Sequence, residues 1–106
     1  MIRITRCYIF TKMEEIKMEI LKVSSKSKPN SVAGAIAGVV RDQGCVELQS
    51  IGAGSVNQAM KAIAIAAGYL APTGVNLVSV PAFINVRVDD EDRTGMKILV
   101  TDKNRI

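Results

Sequence analysis

The chain has 106 residues, room for one domain with a modest core; 48% are apolar but only 4% aromatic, and tryptophan is absent, so Ala, Val, Ile, Leu and Met must build that core. Histidine, the commonest general base and metal ligand, is missing, and no run reaches the ~20 apolar residues of a membrane span, which weighs against an enzyme, a metal centre, a cofactor or a membrane partner. The net charge of +4 excludes little by itself, because Arg3, Arg6, Lys12, Lys17, Lys103 and Arg105 lie at the ends and the middle of the chain is nearly neutral.

Residues 1–17 read poorly as part of a domain. Ile2 to Phe10 alternate enough for a strand, but the charged run from Lys12 to Lys17 follows with no turn signal. Met18 looks like a second beginning, and Met13-Glu14-Glu15 could be a purine-rich ribosome-binding sequence read through as protein. Residues 1–17 are therefore expected to be an extension or a misassigned start, 18–101 one domain, and 102–106 a short tail. No run has the pattern of a signal peptide. Cys7 and Cys45 are too few for a disulfide framework, so a cytoplasmic setting is expected, with Cys45 an inert buried thiol.

Glu19 to Ser24 reads as the first strand. Pro29 suits a first helical position, with Ser27 or Lys28 at the cap, and the helix should run to Gln43 and stop at Gly44. Lys26 and Lys28 would then flank free N–H groups at its positive end, an arrangement that attracts phosphate, with Asn30 and Ser31 beside them. Val32, Ile36, Val39 and Val40 form the expected core stripe, and Ala33, Gly34, Ala37 and Gly38 a face that another element should approach closely.

Cys45 to Ile51 reads as a strand with Val46 and Leu48 on one face and Glu47 and Gln49 on the other, so the sheet should have one open face. Gly52-Ala53-Gly54-Ser55 is a weak nucleotide motif, lacking both a third glycine and the Lys-Ser/Thr of a P-loop. Ser55 with Gln58 fits a capping box opening a second helix, to about Tyr69. In a β-α-β-α order both turns lie at the carboxyl ends of parallel strands, so Lys26, Lys28, Asn30, Ser55, Asn57 and Lys61 could share one rim. The stripe Val56, Ala59, Met60, Ile63 and Leu70 would face the core. Ala62, Ile65 and Tyr69 make the opposite side apolar as well, which predicts a partner chain there.

Pro72-Thr73-Gly74 turns into a long strand, Val75 to Val88, whose Pro81 implies an edge or a bulge. Matching apolar residues pairs Ile84 with Ile98 and Val86 with Met96 across a five-residue loop, Asp89 to Arg93, and gathers Asn85, Arg87 and Lys97 on the open face. The acids Asp89-Asp90-Glu91-Asp92 lack the spacing of a calcium loop and read as a solvated tip.

Several stretches resemble the stage V sporulation protein S family. They are Met18-Glu19-Ile20-Leu21-Lys22-Val23-Ser24, Lys28-Pro29-Asn30-Ser31-Val32-Ala33-Gly34-Ala35, Ile51-Gly52-Ala53-Gly54, Asn57-Gln58-Ala59, and Pro81-Ala82-Phe83. The resemblance covers about residues 18–100. It implies an Alba-like fold: an α/β two-layer sandwich in the order β-α-β-α-β-β, with a mixed four-stranded sheet and two helices on one face. It also implies spore development. Members of the wider fold bind DNA or RNA as dimers through basic residues after the first strand and on the last hairpin. Carried over, that expectation falls on Lys26, Lys28, Arg87, Arg93 and Lys97, while the acidic tip departs from it. Five phosphate contacts would give a log–log salt slope of roughly −4 to −5 on duplex DNA. The alternatives are a homo-oligomeric assembly module without nucleic-acid affinity and, less favoured, a nucleotide-phosphate binder at the Gly52–Ser55 turn.

Overall fold

A computed structural model describes residues 18–105; the expectations for residues 1–17 fall outside them. The elements are β1 (Ile20–Val23), α1 (Pro29–Gln43), β2 (Cys45–Ser50), α2 (Ala53–Leu70), β3 (Leu77–Val88) and β4 (Glu91–Asp102), with single 3₁₀ turns at Ala71–Thr73 and Lys103–Arg105. The sheet order is β1-β2-β4-β3, with β1 and β2 parallel and the other pairs antiparallel. This is the expected mixed four-stranded sheet with two helices. A parallel neighbour cannot follow a tight turn, so α1 serves as the crossover between β1 and β2. Among the described residues no helix is long and apolar enough to cross a membrane.

Local chemistry sets the helix ends. Pro29 occupies the first turn of α1, and Gly44 closes it at φ 90°, donating its N–H to the Val40 carbonyl. Its core stripe differs from the expected one: Ala33, Ile36, Ala37 and Val40 are buried, whereas Val32 and Val39 are only partly so. In α2 the buried residues include Ala59, Ala62, Ile63, Ala66 and Leu70, and Met60 is exposed. The two helices pack on each other as well as on the sheet, and alanines at this seam let their backbones approach. Gly34 and Gly38 are not part of it: both are exposed, with nothing within 4 Å of where a Cβ would stand.

The sheet contributes Leu48, Ile98, Val46 and Val100, each 1% exposed or less, and burying one such side chain is worth about 1.5–3 kcal/mol. Cys45 is buried as expected, but it is not a free thiol, a correction that spacing could not reveal. Where a tail was expected, β4 continues to Asp102, whose buried carboxylate accepts from the Asn76 and Asn104 N–H groups.

The hairpin corrects the expected register. Ile84 pairs with Gly95, Val86 with Arg93 and Val88 with Glu91, so the turn has two residues, Asp89 and Asp90, at φ 52° and 64°. Two successive left-handed residues match the twist of a β-ribbon, and aspartate tolerates that conformation better than most residues. The odd shift turns β3 over. Opposite Val100, Ile98 and Met96 stand Ser79, Pro81 and Phe83, while Val80, Ala82, Ile84, Val86 and Val88 occupy the second face. Pro81 does lie on an edge strand. Beyond Met96 the hairpin runs on past β2 as an arm. Gly95 lies so close to the end of β2 that a Cβ there would stand 2.9 Å from the Ser50 carbonyl oxygen.

Candidate nucleic-acid interface

The β1–α1 and β2–α2 loops both leave the carboxyl ends of parallel strands, and they touch. Hydroxyls hold the first: the Ser24 N–H donates to Ser27 Oγ at 2.9 Å and the Lys26 N–H to Ser24 Oγ at 3.2 Å. Gln58 Nε2, on α2, donates to the Ser27 carbonyl at 2.9 Å. A Cβ on Gly54 would lie 3.1 Å from that of Ser25, so the two backbones pass in near contact. Gln58 thus spends its amide on the neighbouring loop, and the expected capping box is corrected: α2 begins earlier, with Gly52 at the cap, and has no side-chain cap bond.

This seam carries several expected site residues to one side of the molecule. Asn30 and Lys61 line one shallow groove with Pro29, Ala64 and Ile65, about 440 Å³ in volume. Lys28, the α1 cap residue, adjoins Pro29, and Lys26 stands on the loop that Gln58 holds. Asn57, one helical turn before Lys61, is exposed on the same flank of α2. Lys26, Lys28 and Lys61 are all exposed, and no carboxylate lines the groove.

Other expected members separate from this ledge. Ser55 is 6% exposed and its Oγ donates to the Ile51 carbonyl at 2.8 Å, so it points inward. Ser31 is exposed, but its N–H, with that of Val32, is taken by the Lys28 carbonyl. Pro29 has none, so the expected N–H array is largely spent. The reversed hairpin separates Arg87 and Asn85 from Lys97. Arg87 pairs with Asp92 at 3.2 Å, whereas Lys97 continues a cross-sheet row with Gln49 and Lys22 on the second face, where Arg93 also lies. Of the expected oligomer residues, Ala62 is fully buried inside the chain and cannot reach a partner; Ile65 is half-buried and Tyr69 exposed. The outer side of α2 instead presents Met60, Ala64, Gly68 and Tyr69.

Sequence reading missed Lys22, Gln49 and Gln58. The alternation of β1 and β2 put Lys22 and Gln49 outside the core, but only the strand register makes them neighbours. Gln58 offered a local signal that its bond to Ser27 does not follow. Among the described residues no three acidic or sulfur side chains cluster in a way that would hold a metal ion.

A family model described as stage V sporulation protein S matches residues 19–103. Among solved structures, Alba from Thermoplasma volcanium is similar at a TM-score of 0.56 and 10% identity, covering 78% of this chain and 99% of that one. At that identity the likeness concerns the fold alone.

Proposed function

The chain belongs to the stage V sporulation protein S family, which ties it to sporulation, and from that premise we propose that it acts there as a non-enzymatic regulator that grips the phosphate backbone of DNA or RNA. Lys26, Lys28 and Lys61 make the charge contacts, with Asn30 and Asn57 as hydrogen-bonding neighbours. Arg93 and Lys97, on the second sheet face, assist from a distance. The protein binds as a homodimer joined at the Tyr69 end of α2, which leaves Asn57 and Lys61 uncovered. The observation that carries this reading is the seam between the two loops, where Gln58 fixes the lysine-bearing turn against the helix that bears Lys61. Lysines carried on a held backbone lose less freedom on meeting phosphate than lysines on loose loops, and phosphate contacts carry affinity without sequence information. The fold of an Alba protein supports the reading by analogy only.

Fluorescence anisotropy with labelled duplex and single-stranded oligonucleotides at two salt concentrations tests it. Three contacts per protomer give a log–log salt slope of about −2.7 on duplex DNA, and about twice that for a dimer. The double variant Lys26→Glu, Lys28→Glu should abolish binding while retaining its circular dichroism. Undiminished binding by that variant eliminates the ledge.

A second reading has its own observation. The hairpin tip is acidic and Arg87 is held by Asp92, a poor design for an arm that meets a polyanion. A protein-assembly module fits such a tip, and a defined oligomer with no nucleic-acid affinity at low salt would favour it.

A further inference from the structure

The second face of the sheet is covered unevenly. Among the described residues of β2 and β4, the apolar cluster beneath the helices takes in Val46, Leu48, Ile98 and Val100, all on the first face. Cys45, Leu99 and Thr101 alternate with them and so lie on the second face, outside that cluster. Yet they are only 4%, 8% and 1% exposed. Farther along the same face Lys97 is exposed, and Val80, the β3 partner of Leu99, is 50% exposed. Cys45 is also disulfide-bonded, and the chain has one other cysteine, Cys7.

We infer that residues 1–17 fold back over this end of the second face and are latched there by a Cys7–Cys45 disulfide. The route is short. β1 and β2 are parallel with Ile20 level with Glu47, so Met18 lies level with Cys45, one strand spacing of about 4.8 Å away. The Glu47 N–H donates to the Glu19 carbonyl at 3.0 Å, which holds the chain at that point. A disulfide needs Cα atoms about 4.4–6.8 Å apart. The stretch from Cys7 to Met18 can span up to about 36–40 Å, ample for a return. Composition suits the landing site: Ile4, Tyr8, Ile9 and Phe10 surround Cys7 with apolar surface for Leu99. Arg3 and Arg6 are opposite in charge to Glu47, the half-buried carboxylate that pairs with Leu99.

Such a bond is a latch that a dithiol reductant opens by exchange. One reductant thiolate attacks a sulfur of the pair, and the second thiol resolves the mixed disulfide. Two electrons and two protons pass to Cys7 and Cys45, and the reductant leaves as its own disulfide. Opening frees the segment and bares an apolar patch, Leu99 beside Val78 and Val80. This patch is at the Cys45 end of β2, whereas the Lys26–Lys28 loop leaves β1 level with Ser50 at the other end. The cover and the lysine ledge are therefore separate.

The test combines peptide mapping with solvent paramagnetic relaxation on the full chain, before and after dithiothreitol. Unreduced protein, denatured and treated with iodoacetamide, should carry no alkylated cysteine and migrate as a monomer. Proteolysis should release the Cys7 and Cys45 peptides joined, and after dithiothreitol both cysteines should alkylate. With a soluble gadolinium chelate, the Leu99 methyl signals should be shielded in the unreduced chain. On reduction, and in Cys7→Ser, their relaxation should rise toward that of the exposed Val80 methyls, while Val46 and Val100, buried under the helices, stay shielded. Circular dichroism of Cys7→Ser should match the parent, because none of the elements described above contains Cys7. The latch is overturned by two alkylatable thiols in the unreduced chain, by a covalent dimer that reduction dissolves, or by Leu99 signals that do not change when the bond is broken.

Discussion

Two chemically identical substitutions should move stability in opposite directions. At Gly95 a methyl group would stand 2.9 Å from the Ser50 carbonyl oxygen, 3.2 Å from Ile51 Cγ1 and 3.5 Å from Ile84 Cγ1. The nearest atom is backbone, in the last residue of β2, and cannot rotate away. Overpacking of this kind costs about 1–3 kcal/mol, while alanine recovers about 0.5–1 kcal/mol by restricting the unfolded chain. Gly95→Ala should therefore destabilise, by up to about 2.5 kcal/mol, or roughly 4–8 °C in Tm for each kcal/mol. At Gly34, an exposed helical position with open space around it, alanine should stabilise by about 0.8–1 kcal/mol through helix propensity alone. Urea unfolding of both variants, followed by far-ultraviolet circular dichroism, reads the difference, with the slope m expected to stay constant. A Gly95→Ala protein as stable as its parent, with unmoved amide signals at Ser50 and Ile84, would refute the close approach.

Gln58→Ala should cost about 0.5–1.5 kcal/mol and speed amide exchange in the Ser24–Ser27 turn, because the Ser27 carbonyl loses its donor; unchanged exchange would separate the two loops. Asp90→Gly should stabilise the hairpin by about 1 kcal/mol, since glycine adopts φ 64° without strain, and thermal unfolding checks the sign. Met60→Ser with Tyr69→Ser should leave the unfolding free energy within about 0.5 kcal/mol per site while lowering the sedimentation coefficient of any oligomer, since both side chains are about half exposed. An oligomer that survives the pair is held elsewhere.

Much of the fold was legible because strong local signals agreed with the tertiary result. Pro29 and Gly44 bracket α1, and the alternation Val46, Glu47, Leu48, Gln49 sorts correctly into core and open sides. The hairpin misled because β3 carries apolar residues in both alternating sets, so matching apolar with apolar had no unique answer. The Asp89-Asp90 turn decided it, and that turn depends on aspartate tolerating positive φ. The helix stripes misled for a related reason. Large side chains attract attention, yet the seam needed Ala33, Ala37, Ala59 and Ala62, and Met60 was left outside. Of the candidate site, loop positions followed from topology, but bonds such as Gln58 to Ser27, 31 residues apart, leave no trace in spacing.

The strands are unequal, and that bears on the order in which the sheet comes apart. β3 and β4 have 12 residues each and meet through a two-residue turn, whereas β1 has four and, among the described residues, pairs with β2 alone across an intervening helix. Regions with the fewest contacts open first. β1, with the fewest pairings, should thus be the first strand to leave. Its departure would carry Lys26 and Lys28 away from Lys61 while the hairpin and its flanking strand stay intact, so the charged ledge can be dismantled without unfolding the protein.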